Sequence, residues 1–66
     1  MKNNIKIHRQ LKNYSQEQLA NLVGVSRQTI NALEAKKYIP STVLSLKISQ
    51  VLECPMDKLF ELEDAD

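Results

Sequence analysis

Two adjacent residues near the middle of the chain, Arg27 and Gln28, carry side chains that can recognise a base pair. The Arg27 guanidinium can donate two hydrogen bonds to guanine O6 and N7, and the Gln28 amide can pair with adenine N6 and N7. Either side chain can instead bind a phosphate. Thr29 and Ala32 offer methyl groups that can touch a thymine methyl, whereas the Asn31 amide is better suited to the DNA backbone. The segment therefore has the chemistry to contact double-stranded DNA.

The elements that must position these side chains are two short helices joined by a tight turn, over residues 16–35. Apolar residues recur at helical spacing in both segments: Leu19, Ala20, Val23, Ile30 and Leu33. Gly24, the only glycine of the chain, stands where the first helix must stop and reverse, a position that favours a positive φ. Ala20 supplies the small side chain that two sharply crossing helices need at their contact. The outer face of the second helix is left polar.

These residues fall at the offsets of a helix-turn-helix motif, and the chain resembles the phage-repressor and Cro-like family of transcriptional regulators over roughly residues 5–60. The phrases that carry the resemblance are Ser15-Gln16-Glu17-Gln18-Leu19-Ala20, Val25-Ser26-Arg27-Gln28-Thr29-Ile30, Glu34 and Pro40. The resemblance implies a sequence-specific DNA-binding regulator, a repressor by default, whose third helix enters the major groove by its N-terminal end. The base contacts would come from Arg27, Gln28, Thr29 and Ala32. An exposed residue without function is the alternative for Arg27, but a basic residue in a first helical turn opposes the helix dipole, which favours the functional role.

Phosphate contacts are expected around that helix. In relatives, the residue at the position of Gln16 grips a phosphate together with nearby backbone N–H groups at a helix start. The segment Lys36–Tyr38 follows the recognition helix where the family's loop runs beside the sugar-phosphate backbone, so it would add affinity without sequence information. The predicted phosphate-binding residues are Gln16, Ser26, Asn31, Lys36, Lys37 and Tyr38.

A structural ion pair is the expected role of Arg9 and Glu34. In this family an arginine on the first helix commonly pairs with a glutamate near the end of the recognition helix, and these are the matching positions. A largely shielded pair is expected, so Arg9 is a poor candidate for a DNA contact.

The overall pattern predicts an all-α protein, a compact five-helix bundle. It does not decide whether Met1–Ile5 and Leu59–Glu63 also form a short β pairing. The first helix spans Asn4–Lys12, with Ile5 and Leu11 inward and Ile7 and His8 on its flanks. Serines at 15, 26 and 41 are predicted to cap the next three helices, over about 16–23, 27–35 and 42–52. The fourth is the predicted central core element, through Val43, Leu44, Leu46, Ile48, Val51 and Leu52. The fifth is expected over Pro55–Phe60, with Cys54 at its cap.

Charge is distributed unevenly along the chain. Residues 1–47 carry eight basic and two acidic groups, whereas residues 48–66 carry one basic and six acidic groups, so the net charge of +1 conceals two parts of opposite sign. A polyanion would be attracted to the first part and repelled by the second, which favours an oriented DNA face over an ordinary solvated surface.

Several function classes are disfavoured. The 66 residues allow one small domain, a single helix-turn-helix unit over 1–66 with an acidic end at 61–66. No stretch resembles a membrane span or a signal peptide, so a cytoplasmic protein of a prokaryote, an archaeon or a phage is expected. One cysteine and one histidine cannot complete a zinc site, no cofactor is expected, and no catalytic motif suggests an enzyme.

A homodimer is the expected assembly, because one recognition helix covers too few base pairs to select a genomic site. Met56, Phe60 and Leu62 supply more apolar surface than a short terminal helix can hide, so they are the predicted dimer interface. The competing hypothesis is a protein-interaction module on the same fold, such as an antitoxin or an anti-regulator. A regulatory protein partner is left unspecified.

Overall fold

Five helices and one short strand pair make up the fold in this computed structural model, which describes residues 1–66. The elements are, in chain order, β1 (Lys2–Asn3), α1 (Ile5–Leu11), α2 (Gln16–Val23), α3 (Arg27–Glu34), α4 (Thr42–Leu52), α5 (Met56–Leu59) and β2 (Phe60–Glu61). The strands pair antiparallel, with Lys2 opposite Glu61 and Asn3 opposite Phe60. The prediction of a five-helix, all-α bundle is confirmed, and the terminal β pairing is present. None of the helices has the length and apolarity needed to cross a membrane.

Serine side chains begin three of the helices. Ser15 Oγ accepts a hydrogen bond from the Gln18 backbone N–H at 3.0 Å, and Gln18 Oε1 accepts one from the Ser15 N–H at 2.7 Å, which confirms the predicted capping box. Ser26 and Ser41 each accept from a backbone N–H three residues ahead, at 3.1 Å. Because each cap satisfies a donor that has no partner within its helix, the starts of α2, α3 and α4 are fixed locally.

Four helices end at a residue with left-handed backbone conformation. These residues are Asn13 (φ 60°), Gly24 (φ 77°), Lys36 (φ 61°) and Glu53 (φ 52°). In each case the next N–H donates to the carbonyl five residues earlier: Tyr14 to Arg9, Val25 to Ala20, Lys37 to Ala32 and Cys54 to Ser49. This is the Schellman arrangement, which satisfies a carbonyl left over at the helix end. Glycine adopts the conformation freely, whereas Lys36 and Glu53 adopt it under strain.

The core is built from one face of every helix. Its buried members are Ile5, Leu19, Ala20, Val23, Ile30, Leu33, Ile48, Leu52, Cys54 and Leu59. The prediction that Leu11 points inward is wrong, since it is 72% exposed. In α4, Val43 and Leu46 are exposed, and Ser45 lies buried beside Ile48 instead. Ser45 tolerates burial because its Oγ donates to the Ser41 carbonyl at 2.8 Å.

The chain ends are tied to α5 and to α3. The predicted start of α5 is wrong by one residue: Pro55 is the N-cap, since its ψ of 146° is extended, and Met56 is the first helical residue. The Asn4 N–H donates to the Leu59 carbonyl at 2.8 Å, which continues the strand pairing. Asn3 Nδ2 donates to the Leu33 carbonyl at 2.8 Å, so the first strand also secures the end of α3.

Candidate nucleic-acid interface

The helix α3 has one buried face and one polar exposed face. Ile30 and Leu33 are fully buried, whereas Arg27, Gln28 and Asn31 are exposed. Arg27 and Asn31 are one helical turn apart and therefore lie on the same side. The structure thus exposes Arg27 and Gln28 to solvent at the start of α3, where base-contacting side chains are predicted from the sequence.

The other two predicted base-reading residues are less available. Thr29 and Ala32 are both half-buried. The Thr29 hydroxyl lies 3.0 Å from Ser26 Oγ, the atom that also caps α3. The two hydroxyls therefore hydrogen-bond to each other. What Thr29 and Ala32 can offer a ligand is mainly methyl surface.

The turn between α2 and α3 fixes the angle at which α3 is presented. Ala20 is buried in this packing, with 1% of its surface exposed, as predicted for the small residue at the contact of two crossing helices. Gly24 has the positive φ predicted for it, and a Cβ built there would meet no atom within 4 Å. The backbone conformation, and not a lack of space, therefore requires glycine at this position.

Arg9 and Glu34 lie in contact beneath the exposed face. Arg9 Nε donates to Glu34 Oε2 at 2.8 Å and Arg9 Nη2 donates to Glu34 Oε1 at 3.2 Å. Arg9 Nη1 also donates to the Tyr14 carbonyl at 2.8 Å. The guanidinium is therefore occupied by protein acceptors, which leaves it little capacity to bind DNA.

Two amide side chains extend this ion pair to the surface. Gln16 Nε2 donates to Glu34 Oε1 at 3.1 Å, and Asn31 Nδ2 donates to Gln16 Oε1 at 3.4 Å. We refer to Arg9, Glu34, Gln16 and Asn31 as the polar relay. The Arg9–Glu34 pair is the one predicted from the sequence. The two amide contacts were missed, because no spacing along the chain reports how α1, α2 and α3 meet.

A further basic residue stands beside the relay. A shallow cavity of about 340 Å³ is lined by Lys6, Arg9, Gln16, Asn31, Glu34 and Ala35. Lys6 is exposed and lies three residues before Arg9, on the same side of α1. That spacing is a signal by which the sequence could have associated Lys6 with this surface.

The loop after α3 adds exposed positive charge. Lys36, Lys37 and Tyr38 are all exposed. In contrast, Lys12 donates to the Glu53 carboxylate, and this contact holds the pKa of Glu53 below its usual value of 4.5. Lys12 is thus compensated within the protein, whereas Arg27, Lys36 and Lys37 have no ion-pair partner.

The predicted dimer residues differ in exposure. Met56 and Phe60 are half-buried, and Phe60 also packs against the core. Leu62 is 82% exposed. Only Leu62 is fully available to a second molecule in this conformation.

The chain is similar to known proteins in sequence. A family model described as helix-turn-helix matches residues 5–59. The chain is 45% identical over 64 residues to the uncharacterized HTH-type transcriptional regulator YgzD of Bacillus subtilis (strain 168), with 97% of each chain covered. It is 47% identical over 64 residues to the uncharacterized HTH-type transcriptional regulator MJ0272 of Methanocaldococcus jannaschii, again with 97% of each covered.

Two solved structures share the fold. The N-terminal DNA binding domain of SinR from Bacillus subtilis superposes with a TM-score of 0.78 and 30% identity, covering 91% of this chain and 88% of that one. The P22 c2 repressor protein, in complex with synthetic operator 9T, superposes with a TM-score of 0.77 and 30% identity, covering 80% of each chain.

Proposed function

Because the chain belongs to the helix-turn-helix family of Cro/C1-type transcriptional regulators, we propose that it is a repressor that binds a palindromic operator as a homodimer. The family is one of DNA-binding, non-enzymatic regulators. In the proposed complex, α3 lies in the major groove with its N-terminal end towards the bases.

The observation that carries the proposal is the composition of the free face of α3. Arg27 and Gln28 are exposed side by side on a helix whose opposite face is fully buried, so they are held on a rigid support. The Arg27 and Gln28 side chains can match acceptor and donor groups at close spacing, which base edges supply. The similarity to a repressor in complex with a synthetic operator supports DNA as the partner.

Contacts with DNA divide into two groups in this proposal. Arg27 and Gln28 hydrogen-bond to base edges, and the methyl groups of Thr29 and Ala32 pack against thymine. The phosphate contacts surround them and come from Gln16, Ser26, Lys36, Lys37 and Tyr38. Lys6 joins this second group because it borders the same cavity as Gln16. The second group contributes affinity that depends on salt and not on sequence.

Dimerisation completes the proposal. Two recognition helices about 34–36 Å apart would engage two half-sites on one face of the duplex. The apolar residues after α4, Met56, Phe60 and Leu62, are the proposed contact, with Leu62 the most exposed of them.

Selection of bound duplexes from random DNA tests the proposal. A palindromic consensus with half-sites about one helical turn apart is the expected result. Sedimentation of the same protein, free and with the selected duplex, should give one dimer per duplex. Failure to enrich any sequence, together with no salt-dependent shift of duplex DNA in a gel, would overturn the proposal in favour of a protein-interaction module.

A further inference from the structure

The polar relay constrains the direction of every hydrogen bond along it. Arg9 can only donate, and it donates to both carboxylate oxygens of Glu34. An ionised carboxylate can only accept. The group of Gln16 that faces Glu34, 3.1 Å away, must therefore be its Nε2.

The same logic passes from Gln16 to Asn31. With Nε2 turned towards Glu34, Gln16 presents its Oε1 to Asn31. An amide oxygen accepts, so Asn31 must turn its Nδ2 towards Gln16, at 3.4 Å. The Glu34 carboxylate, held by Arg9 of α1, thus determines through Gln16 which way the exposed Asn31 amide faces.

The orientation of Asn31 has a consequence for recognition. The amide nitrogen carries two hydrogens, and Gln16 uses one of them. With Gln16 on the N–H trans to Oδ1, Oδ1 and the cis N–H remain as the acceptor and donor pair that adenine N6 and N7 require in the major groove. Asn31 is exposed one turn beyond Arg27, on the face proposed to enter the groove.

From this geometry we propose that Asn31 recognises adenine, and that Arg9 and Glu34, acting through Gln16, are positioning residues that set the direction of its amide. The inference rests on the proposed function. It replaces the phosphate contact that the sequence predicts for Asn31. A phosphate could use only the amide N–H groups, whereas the relay leaves Oδ1 free as well, and a free acceptor beside a phosphate would be unfavourable.

Duplex selection with matched variants tests the proposal. In the parent consensus, one position per half-site is expected to be adenine, and Asn31→Ala should lose the preference at that position alone. Since Asn31 is exposed, this variant should keep the parent's helix content. Glu34→Gln is the key test, because an amide both donates and accepts, so it no longer fixes the direction of the Gln16 and Asn31 amides as a carboxylate does. Adenine should then lose its preference at the same position, although residue 34 touches no DNA.

The control for Glu34→Gln is Glu17→Gln, the same chemical change at an exposed carboxylate of α2 that lies outside the relay. It should leave the consensus unchanged. Should Glu34→Gln fail to fold by circular dichroism, Gln16→Met interrupts the relay while leaving the ion pair intact. That variant should relax the preference at the Asn31 position in addition to weakening binding generally.

The outcomes separate this inference from the proposed function. If the parent selects no consensus, the proposed function fails. If the parent selects a consensus and Asn31→Ala selects the same one, base recognition by Asn31 is overturned. If Asn31→Ala loses one position but the relay variants keep it, the positioning roles of Arg9 and Glu34 are overturned.

Discussion

Arg9 and Glu34, which are 25 residues apart in the sequence, form the most enclosed ion pair of the protein, with side chains 10% and 5% exposed. Shielding of this degree makes the pair costly to break, because the remaining partner would keep a buried and unpaired charge. Arg9→Met should therefore lower the free energy of unfolding by about 3 kcal/mol. Urea denaturation followed by circular dichroism gives this value.

The double variant Arg9→Met/Glu34→Leu removes both charges together and should be more stable than Arg9→Met alone, since apolar groups can replace a buried ion pair with little net loss. If the two substitutions instead destabilise additively, the pair is not coupled as the distances indicate.

Base recognition and phosphate binding should respond differently to substitution. Gln28→Ala is expected to change the preferred base at one position of each half-site, with a loss of roughly 1–3 kcal/mol on the original sequence. Lys37→Ala should weaken binding to all duplexes about equally and lower the slope of log K against log salt by about one. Arg27→Ala will match the first pattern if the guanidinium contacts guanine. Identical selected sites for Gln28→Ala and the parent would contradict direct recognition by Gln28.

Lys36 has opposite effects on stability and on binding. Its φ of 61° is strained for any residue with a Cβ, so Lys36→Gly should raise the free energy of unfolding by about 0.5–1 kcal/mol. The same change removes a proposed phosphate contact and should weaken DNA binding. Thermal denaturation and gel shifts on one preparation measure both effects. Lys37→Ala serves as the control, since its binding should weaken without a gain in stability.

The assembly proposal can be tested at two neighbouring positions. Leu62 is exposed, so Leu62→Asp should weaken the dimer, and with it DNA affinity, while leaving the fold intact. Phe60 packs against the core and pairs with Asn3 through β2, so Phe60→Asp should lower the free energy of unfolding by about 2 kcal/mol or more. Sedimentation with circular dichroism distinguishes the two. A Leu62→Asp variant that stays dimeric at micromolar concentration would place the interface elsewhere.

Acid sensitivity should follow the contact between Lys12 and Glu53. Lys12 holds the pKa of Glu53 below 4.5 in the folded protein. As the pH falls below 4.5, the unfolded state takes up a proton first, so this contribution to stability decreases and is lost once the pH passes the lowered pKa. The stability difference between the parent and Lys12→Met should therefore be constant above about pH 5 and shrink towards pH 3. Lys47→Met, which removes an exposed lysine that has no ion-pair partner, should show no such dependence.

Local chemistry made much of the fold predictable from the sequence. The serine caps and Gly24 each act within four residues, so their effects can be inferred without knowing the tertiary structure. The same holds for the exposed face of α3, because Ile30 and Leu33 determine which side is buried.

The incorrect predictions concern residues whose burial is decided by tertiary packing. The helix α4 is apolar on several sides, so its periodicity could not show that Ser45 would be buried and Val43 exposed. Leu11 ends α1 next to the turn at Asn13, beyond the reach of the core. The contacts of Gln16 with Glu34 and Asn31 could not be predicted either, because they depend on the relative position of α2 and α3.

The strand pairing between the two ends of the chain has a consequence for folding kinetics. Most contacts in the protein join residues that are close in sequence, whereas Lys2 and Glu61 are brought together across almost the whole chain. Closing so long a loop has an entropic cost that is repaid only after the helices have docked. The strand pair should therefore form after the rate-limiting step of folding and be the first contact to open. Substitutions in the strand pair would then change the unfolding rate and leave the folding rate unchanged.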